Sequence, residues 1–282
     1  MSKIIDRFQS PHITRSLPRS DARFMRSLIG HLAAINQFYR LPPLSRKDVA
    51  SCFVRSSRDE IAGFLPKRSF VPSEQRRVPE YIYVPSQRKI YYSFPDSYPL
   101  HFRKITLSHE YLHLVSHQGE RLGIINHGGG CGVRLNEGLT EFLVQHYWET
   151  CFGITGLKEM SVHQFEMGII EVLIKKWGIK IDELADAYFN QGYVKLEGIV
   201  DAKLGEGAAS MIDSSLEYPW HLLGVKDGFG AILTVKYGLA EAERRLNLLV
   251  ENWMSYPITQ REQVKKDTNE LDVEMPLGVY EL

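Results

Sequence analysis

The first long segment with apolar residues at helical spacing follows residue 18. Ser20 or Asp21 can serve as its N-cap, and Leu41-Pro42-Pro43 ends it. The pattern predicts an amphipathic helix that runs to about Tyr39. The apolar residues share one stripe and the arginines lie outside it: Phe24, Leu28, Leu32, Ile35 and Phe38, against Arg23, Arg26 and Arg40.

Short strands are predicted between residues 45 and 95. Alternating apolar residues indicate strands at 49–54 and 69–71, and then a hairpin with arms at 81–84 and 90–94 around the turn Pro85-Ser86-Gln87. Two interpretations of the hairpin stay open. Its edge can bind an extended polypeptide as an additional strand, or the hairpin can pack over the helix that follows.

Helical periodicity dominates after residue 102. Neither Gly nor Pro interrupts residues 102–118, where Leu107, Tyr111, Leu114 and Val115 form an apolar stripe. Further helices are predicted from Glu137 to about residue 150, from the N-cap Ser161 to residue 177 with Gly178 at C′, and at 182–189, 195–204 and 239–254, with a loop at 224–230 and a polar tail at 259–272.

These elements predict an α+β fold with a small amino-terminal sheet, a hairpin beside a central helix and a mostly helical carboxy-terminal lobe. We expect residues 1–18 to form a flexible basic arm. Residues 19–282 are expected to form a single domain, with an α/β lobe at 19–125 and a helical lobe at 126–282. A chain of 282 residues with 44% hydrophobic content can bury a substantial core.

Charge and cysteine content limit the classes of function. The net charge is zero, so no nucleic-acid partner is expected from global charge, although residues 1–90 hold 17 Lys+Arg against 7 Asp+Glu. The three cysteines, Cys52, Cys131 and Cys151, are an odd number without a framework spacing, which favours free thiols in a reducing compartment.

The amino-terminal residues lack the apolar core of a cleavable signal peptide, and Lys3, Asp6 and Arg7 interrupt them. No segment has the apolar length of a transmembrane helix. We therefore expect a protein that acts in the cytoplasm, or one exported without a cleavable signal, as a secreted effector is.

The main chemical motif is His109-Glu110-Tyr111-Leu112-His113. Residues i and i+4 share a helix face about 5–6 Å apart, so both imidazoles can bind one Zn²⁺ ion. Glu110 lies between them and can take a proton from a zinc-bound water, whose pKa the ion lowers to about 7. This arrangement is typical of zinc hydrolases.

A catalytic zinc ion normally has three protein ligands, so a third is required. His117 is about 12 Å along the helix axis from His109, which is too far. The better candidates follow Gly128-Gly129-Gly130, in the segment Asn136-Glu137-Gly138-Leu139-Thr140-Glu141, where two carboxylates are spaced i and i+4. Glu137, Glu141 and His127 all stay open as the third ligand on spacing alone.

The pairing of His-Glu-x-x-His with a downstream Asn-Glu-x-x-x-Glu resembles the gluzincin metallopeptidases, the group that contains thermolysin and the zinc aminopeptidases. The resemblance covers residues 102–147. It implies a zincin-like fold, Glu137 as third zinc ligand and Glu141 as the acceptor that orients His109. The metzincin alternative is disfavoured because Ser116 stands where that class has Gly.

Peptide hydrolysis also needs a donor that stabilises the oxyanion opposite the metal. The sequence does not select one. Tyr218 and His163 are the first choices, and the remaining candidates are His127, Tyr188, Tyr193 and His221.

The sequence thus predicts a zinc metallopeptidase that cleaves a protein or peptide substrate. If the protein is an exported effector, its substrate is expected to be a protein of the target cell. Zinc aminopeptidases resemble one another in a Gly-x-Met-Glu-Asn segment, which this chain lacks, so an endopeptidase is favoured. Two alternatives are a zinc-binding module without catalysis and a basic surface that binds anionic lipid or nucleic acid.

Overall fold

A computed structural model describes residues 19–64, 80–95, 98–126, 132–154 and 163–217, together with Arg244. The described chain is a mixed α+β structure. Its helices are α1 (Arg19–Phe38), α2 (Arg46–Cys52), α3 (Arg58–Ala62), α4 (Leu100–Ser116), α5 (Val133–Phe152), α6 (Gln164–Lys175), α7 (Ile181–Asp186), α8 (Tyr193–Leu204) and α9 (Ala208–Glu217). Its strands are β1 (Phe53–Arg55), β2 (Tyr81–Val84), β3 (Lys89–Tyr92), β4 (Arg121–Leu122) and β5 (Ile125–Asn126).

Helix α1 confirms the first predicted helix, since it spans Arg19–Phe38. Neither predicted N-cap is correct, because Ser20 and Asp21 both lie inside the helix. Phe24, Leu28, Leu32 and Ile35 of the predicted stripe are buried in the main core. The predicted strand at 49–54 is wrong, because residues 46–52 form α2 and only Phe53–Arg55 form a strand. Ser45 starts this helix by accepting a hydrogen bond from Asp48 N at 3.1 Å.

The predicted hairpin is present. β2 pairs with β3 in antiparallel register, Tyr83 opposite Ile90, and a 3₁₀ turn at Pro85–Gln87 connects them. β1 joins the other side of β3 in parallel, so the strand order is β1-β3-β2 and, among the described strands, β2 lies at an edge. The predicted strand at 69–71 lies outside the described residues.

Helices α4 and α5 lie at the centre of the core. Between Thr106 and Leu114 every residue of α4 is buried, which is more than one apolar stripe requires. Polar residues are therefore enclosed on this helix, and buried polar groups require partners. α5 begins at Val133, four residues before the predicted start at Glu137.

The first turn of α5 is stabilised by a distant carboxylate. Gly132 precedes the helix with φ +95° and cannot supply a capping side chain. Asp213 of α9 instead accepts hydrogen bonds from Gly132 N and from Leu135 N, the latter at 3.2 Å. A negative charge here also interacts favourably with the helix dipole. Asp213 thus holds the turn that precedes Glu137.

The second half of the described chain is helical, with three differences from prediction. α6 begins at Gln164 with His163 in the N-cap position, so the predicted N-cap Ser161 is wrong, whereas Gly178 has the predicted left-handed conformation at φ +65°. The predicted 182–189 helix divides into α7 and a π-helical turn at Ala187–Gln191. α9 has no counterpart among the predictions.

Several predictions fall on residues that the structure does not describe. They are the arm at 1–18, Cys131, the loop at 224–230, the tail at 259–272 and, except for Arg244, the helix at 239–254. Cys52 and Cys151 are free thiols. In the described ranges, no helix combines the length and the apolar character needed to cross a bilayer.

Candidate metal centre

The two histidines of the motif lie on the same face of α4. His109 Nε2 and His113 Nε2 are 3.1 Å apart, and both side chains are less than a tenth exposed. Two imidazole nitrogens at this separation, with little access to water, can bind a common ion.

Glu137 of α5 completes a triangle with them. Its Oε2 atom is 3.2 Å from His109 Nε2 and 3.5 Å from His113 Nε2. Tetrahedral bonds of about 2.0–2.1 Å place ligand atoms about 3.3–3.4 Å apart, so the three edges fit one zinc ion. Among the described residues, these three make up the group of potential ligands whose atoms all lie within 4.8 Å of one another.

The ring of His109 is oriented from behind by Glu141. Glu141 Oε2 is 2.9 Å from His109 Nδ1, and its Oε1 accepts a hydrogen bond from Gln145 Nε2 at 2.9 Å. Burial opposes ionisation of Glu141, but the hydrogen bond and the charge of His109 outweigh it and lower its pKa to about 2. Because an ionised carboxylate only accepts, His109 Nδ1 carries the proton and Nε2 can bind a metal.

The ionisable groups of the centre form buried pairs. Burial would lower the pKa of His109, but hydrogen bonds to Glu137 and Glu141 raise it well above its usual value. Burial acts in the opposite direction on Glu137, whose pKa is nevertheless well below normal because of the nearby histidines, His113 first. A bound cation would replace the protons held here, as metal ligands require.

Glu110 is held by the edge strand β2. Its Oε2 atom accepts a hydrogen bond from the peptide N–H of Tyr83 at 2.8 Å. The Tyr83 hydroxyl is in turn 2.6 Å from His117 Nδ1, so this strand contacts both the motif and the residue that follows α4. His117 is thereby engaged away from the triangle. The link between Glu110 and β2 was not visible in the sequence.

His163 lies beside the triangle. Its ring stacks on that of His109, with centroids 5.6 Å apart and 13° between the planes. Its Nε2 atom is 3.5 Å from Glu137 Oε2, and its side chain is 13% exposed. An imidazole in this position can donate a hydrogen bond to a group bound at the centre.

Tyr81 of β2 is a further candidate donor, and the sequence did not indicate it. Burial raises the pKa of its phenol, and the nearby carboxylates of Glu110, Glu141, Glu80 and Glu137 raise it further. The phenol therefore stays protonated. In the sequence, β2 comes shortly before the motif helix, whereas the sequence candidates for this donor lie in the helical lobe.

Two of the other predicted donors, Tyr188 and Tyr193, are among the described residues and have partners away from the Nε2 triangle. Tyr188 is completely buried, with its hydroxyl near Thr140 and His113. Tyr193 donates to Ser210 Oγ at 3.4 Å. His127, Tyr218 and His221 lie outside the described residues.

At two glycines near the centre, neighbouring segments approach so closely that no side chain would fit. A Cβ at Gly138 would be 2.6 Å from the backbone carbon of Glu166, so α5 and α6 touch beside Glu137. Gly123 has φ +60°, and a Cβ there would be 2.0 Å from Asn136 Oδ1. That oxygen accepts from Ile124 N at 3.0 Å, which makes Asn136 a structural partner of the loop after α4.

No family model, curated protein or solved structure matches this chain. A functional interpretation therefore depends on the geometry described above.

Proposed function

We propose that the protein is a zinc-dependent metallopeptidase, with His109, His113 and Glu137 as the metal ligands. The observation that carries this proposal is the triangle of His109 Nε2, His113 Nε2 and Glu137 Oε2, with edges of 3.1, 3.2 and 3.5 Å. Three protein donors leave one tetrahedral position for water or substrate, as in catalytic zinc sites. When bound, the ion supplies a Lewis acid that lowers the pKa of water to about 7.

Glu110 is the general base and then the general acid. It neighbours both ligands on α4, and the Tyr83 N–H holds one of its oxygens. A carboxylate kept in position in this way can accept a proton from the attacking water and return it to the leaving amine. Glu110 lies between the two histidines in the sequence but is not one of the three proposed ligands, and this supports its role as the base.

His163 and Tyr81 are the candidates for stabilising negative charge on the substrate carbonyl. His163 Nε2 lies next to the ligand carboxylate at 3.5 Å, and Tyr81 keeps its proton among four glutamates. Donors fixed in a site with little water can stabilise an oxyanion strongly. Tyr218, the other sequence candidate, lies outside the described residues.

We propose a protein or peptide as the substrate and internal cleavage as the reaction. The absence of the Gly-x-Met-Glu-Asn segment of zinc aminopeptidases favours an endopeptidase. The gluzincin resemblance of residues 102–147 supports the same reaction class, with Glu137 and Glu141 in the roles it implies.

The decisive experiment combines metal analysis with a search for new amino termini. Purified wild-type protein should contain about one zinc per chain and generate new amino termini in a mixture of candidate proteins, and a chelator should stop this. Glu110→Gln should keep zinc and lose cleavage, because only the base is removed. Equal amino-terminal profiles for both proteins would overturn the protease assignment, and retained zinc would then indicate a binding module.

A further inference from the structure

His113 has a different partner from His109. Its Nε2 atom faces the triangle, and on the other side of the ring its Nδ1 atom lies 3.4 Å from the hydroxyl of Tyr188. His109 has a carboxylate, Glu141, in the corresponding place. The two proposed ligands are thus supported by unlike groups, one charged and one neutral.

The neighbouring hydrogen bonds give the Tyr188 hydroxyl a direction. Thr140 Oγ1 donates to the carbonyl of Asn136 at 2.7 Å, because a carbonyl only accepts. The same Thr140 oxygen is 2.8 Å from the Tyr188 hydroxyl. When the single Thr140 proton goes to the carbonyl, this oxygen accepts the Tyr188 proton. A tyrosine hydroxyl carries one proton at neutral pH, so it can donate one hydrogen bond and still accept another.

The hydrogen bonds of Ser116 give the Tyr188 hydroxyl the same direction. Ser116 also interacts with the Tyr188 hydroxyl, and its own proton goes to the carbonyl of His113 at 3.0 Å. Whichever hydroxyl accepts the Tyr188 proton, the lone pairs of the Tyr188 oxygen remain for a donor. His113 Nδ1–H is the donor within reach.

The position of Tyr188 is fixed by side chains that hold the backbone of its turn. It belongs to the π-helical turn Ala187–Gln191, and such turns occur frequently at functional sites. Arg121 donates to the carbonyl oxygens of Tyr188 at 3.1 Å and Phe189 at 2.9 Å, and Gln118 donates to the latter at 2.8 Å. The segment after α4 thus holds the turn that supports a ligand on α4.

We propose that Tyr188 is a positioning residue for His113: its hydroxyl oxygen accepts the Nδ1 proton and keeps the Nε2 lone pair directed at the ion. This inference rests on the proposed metal centre. Partners of this kind fix the tautomer and the orientation of a ligating histidine, and their loss typically weakens metal binding about 10- to 100-fold. A neutral acceptor also leaves His113 less electron-rich than His109, which has Glu141.

Tyr188→Phe tests the inference, because it removes one oxygen and keeps the ring. Zinc affinity should be measured by competition with a chromogenic chelator, and the visible absorption of the Co²⁺-substituted full chain recorded. We expect about 10- to 100-fold weaker zinc binding and a changed cobalt spectrum. Tyr147→Phe is the matched control, since the buried hydroxyl of Tyr147 donates to the carbonyl of His31, at 3.3 Å.

If Tyr188→Phe does not fold, Thr140→Val provides the second test. It removes one of the two acceptors of the Tyr188 proton. Because Ser116 remains, zinc affinity and the cobalt spectrum should shift in the same direction by a smaller amount. If the wild-type chain binds zinc and the folded variants show the same zinc affinity and the same cobalt spectrum, the role of Tyr188 is overturned. The proposed metal centre would be unaffected by that result. A wild-type chain that binds no zinc would overturn both proposals.

Discussion

Gly138 of α5 lies directly against the backbone of Glu166 in α6. A Cβ at position 138 would be 2.6 Å from the Glu166 carbonyl carbon and 2.7 Å from its oxygen, distances that no real side chain tolerates. The contact is one residue from Glu137 and near the start of α6, where His163 lies. The absence of a side chain at Gly138 therefore allows His163 to reach the ligand carboxylate.

Gly138→Ala should separate the two helices. The added methyl group meets backbone atoms, which cannot rotate away, so we expect a loss of about 1–3 kcal/mol in the free energy of unfolding. The proposed peptidase activity should fall by more than zinc affinity, because His163 moves while the two proposed histidine ligands on α4 remain. Denaturant unfolding, zinc competition and peptide cleavage would measure the three effects.

Gly198→Ala is the control for this substitution. Gly198 is in α8, and a Cβ there would have no atom within 4 Å. Alanine should raise the free energy of unfolding by roughly 0.5–1 kcal/mol, because glycine loses more backbone entropy in a helix. Equal effects at both positions would contradict the close approach of α5 and α6.

Glu137 and Glu141 are expected to respond differently to the same substitution, although they are one turn apart on α5. Glu137→Gln removes the charged ligand and should abolish stoichiometric zinc binding. Glu141→Gln leaves all three ligands and should weaken binding about 10- to 100-fold, since only the support of His109 is lost. Elemental analysis after dialysis, with Glu149→Gln as a control on the same helix, distinguishes the two. The reverse order would make Glu141 the ligand.

The metal-free protein should lose stability at both ends of the pH range. The pKa of Glu141 falls from its ordinary 4.5 to about 2 in the folded chain, so its contribution is complete above about 4.5 and is lost as the pH falls towards 2. The pKa of His109 is raised, so its contribution is present below its unfolded pKa and is lost as the pH rises through the folded value. Thermal unfolding in chelator across pH would show both losses.

Glu141→Gln isolates the acid side of this profile. Without the carboxylate, the unfolding free energy should fall less between pH 4.5 and 2 than it does in the wild type. Parallel curves for the two proteins would show that the Glu141–His109 pair does not form in solution.

Asp213 should stabilise both the fold and the centre. It accepts hydrogen bonds from Gly132 N and Leu135 N at the start of α5, so Asp213→Ala should cost about 0.5–2 kcal/mol. Zinc affinity should fall too, because Glu137 is in the next turn. The measurements are denaturant unfolding and zinc competition.

Asp201→Ala is the matched control. Asp201 accepts from Gly207 N at 2.7 Å and from Ala209 N at 3.0 Å, at the start of α9. Its loss should lower stability by a similar amount and leave zinc affinity nearly unchanged. A larger loss of zinc affinity with Asp201→Ala than with Asp213→Ala would contradict the proposed role of the α5 cap.

Sequence periodicity predicted α1, the hairpin and the motif helix well, because each depends on contacts a few residues apart. The predicted strand at 49–54 was wrong because the cap at Ser45 and Asp48 outweighed a short apolar alternation. The π-helical turn at Ala187–Gln191 was missed for another reason. Its backbone is held by Arg121 and Gln118, which are about 70 residues away in the chain.

The sequence by itself determined the pairing of His109 with His113 and the place of Glu110 between them, since the pitch of one helix fixes those relations. It left Glu137, Glu141 and His127 open as the third donor. The two carboxylates are one turn apart and have the same local pattern, so spacing alone does not distinguish them. Only the packing of α5 across α4 set Glu137 against the Nε2 atoms and Glu141 against Nδ1. Which oxygen meets which nitrogen depends on the position of one helix relative to another, and that position follows from the whole core.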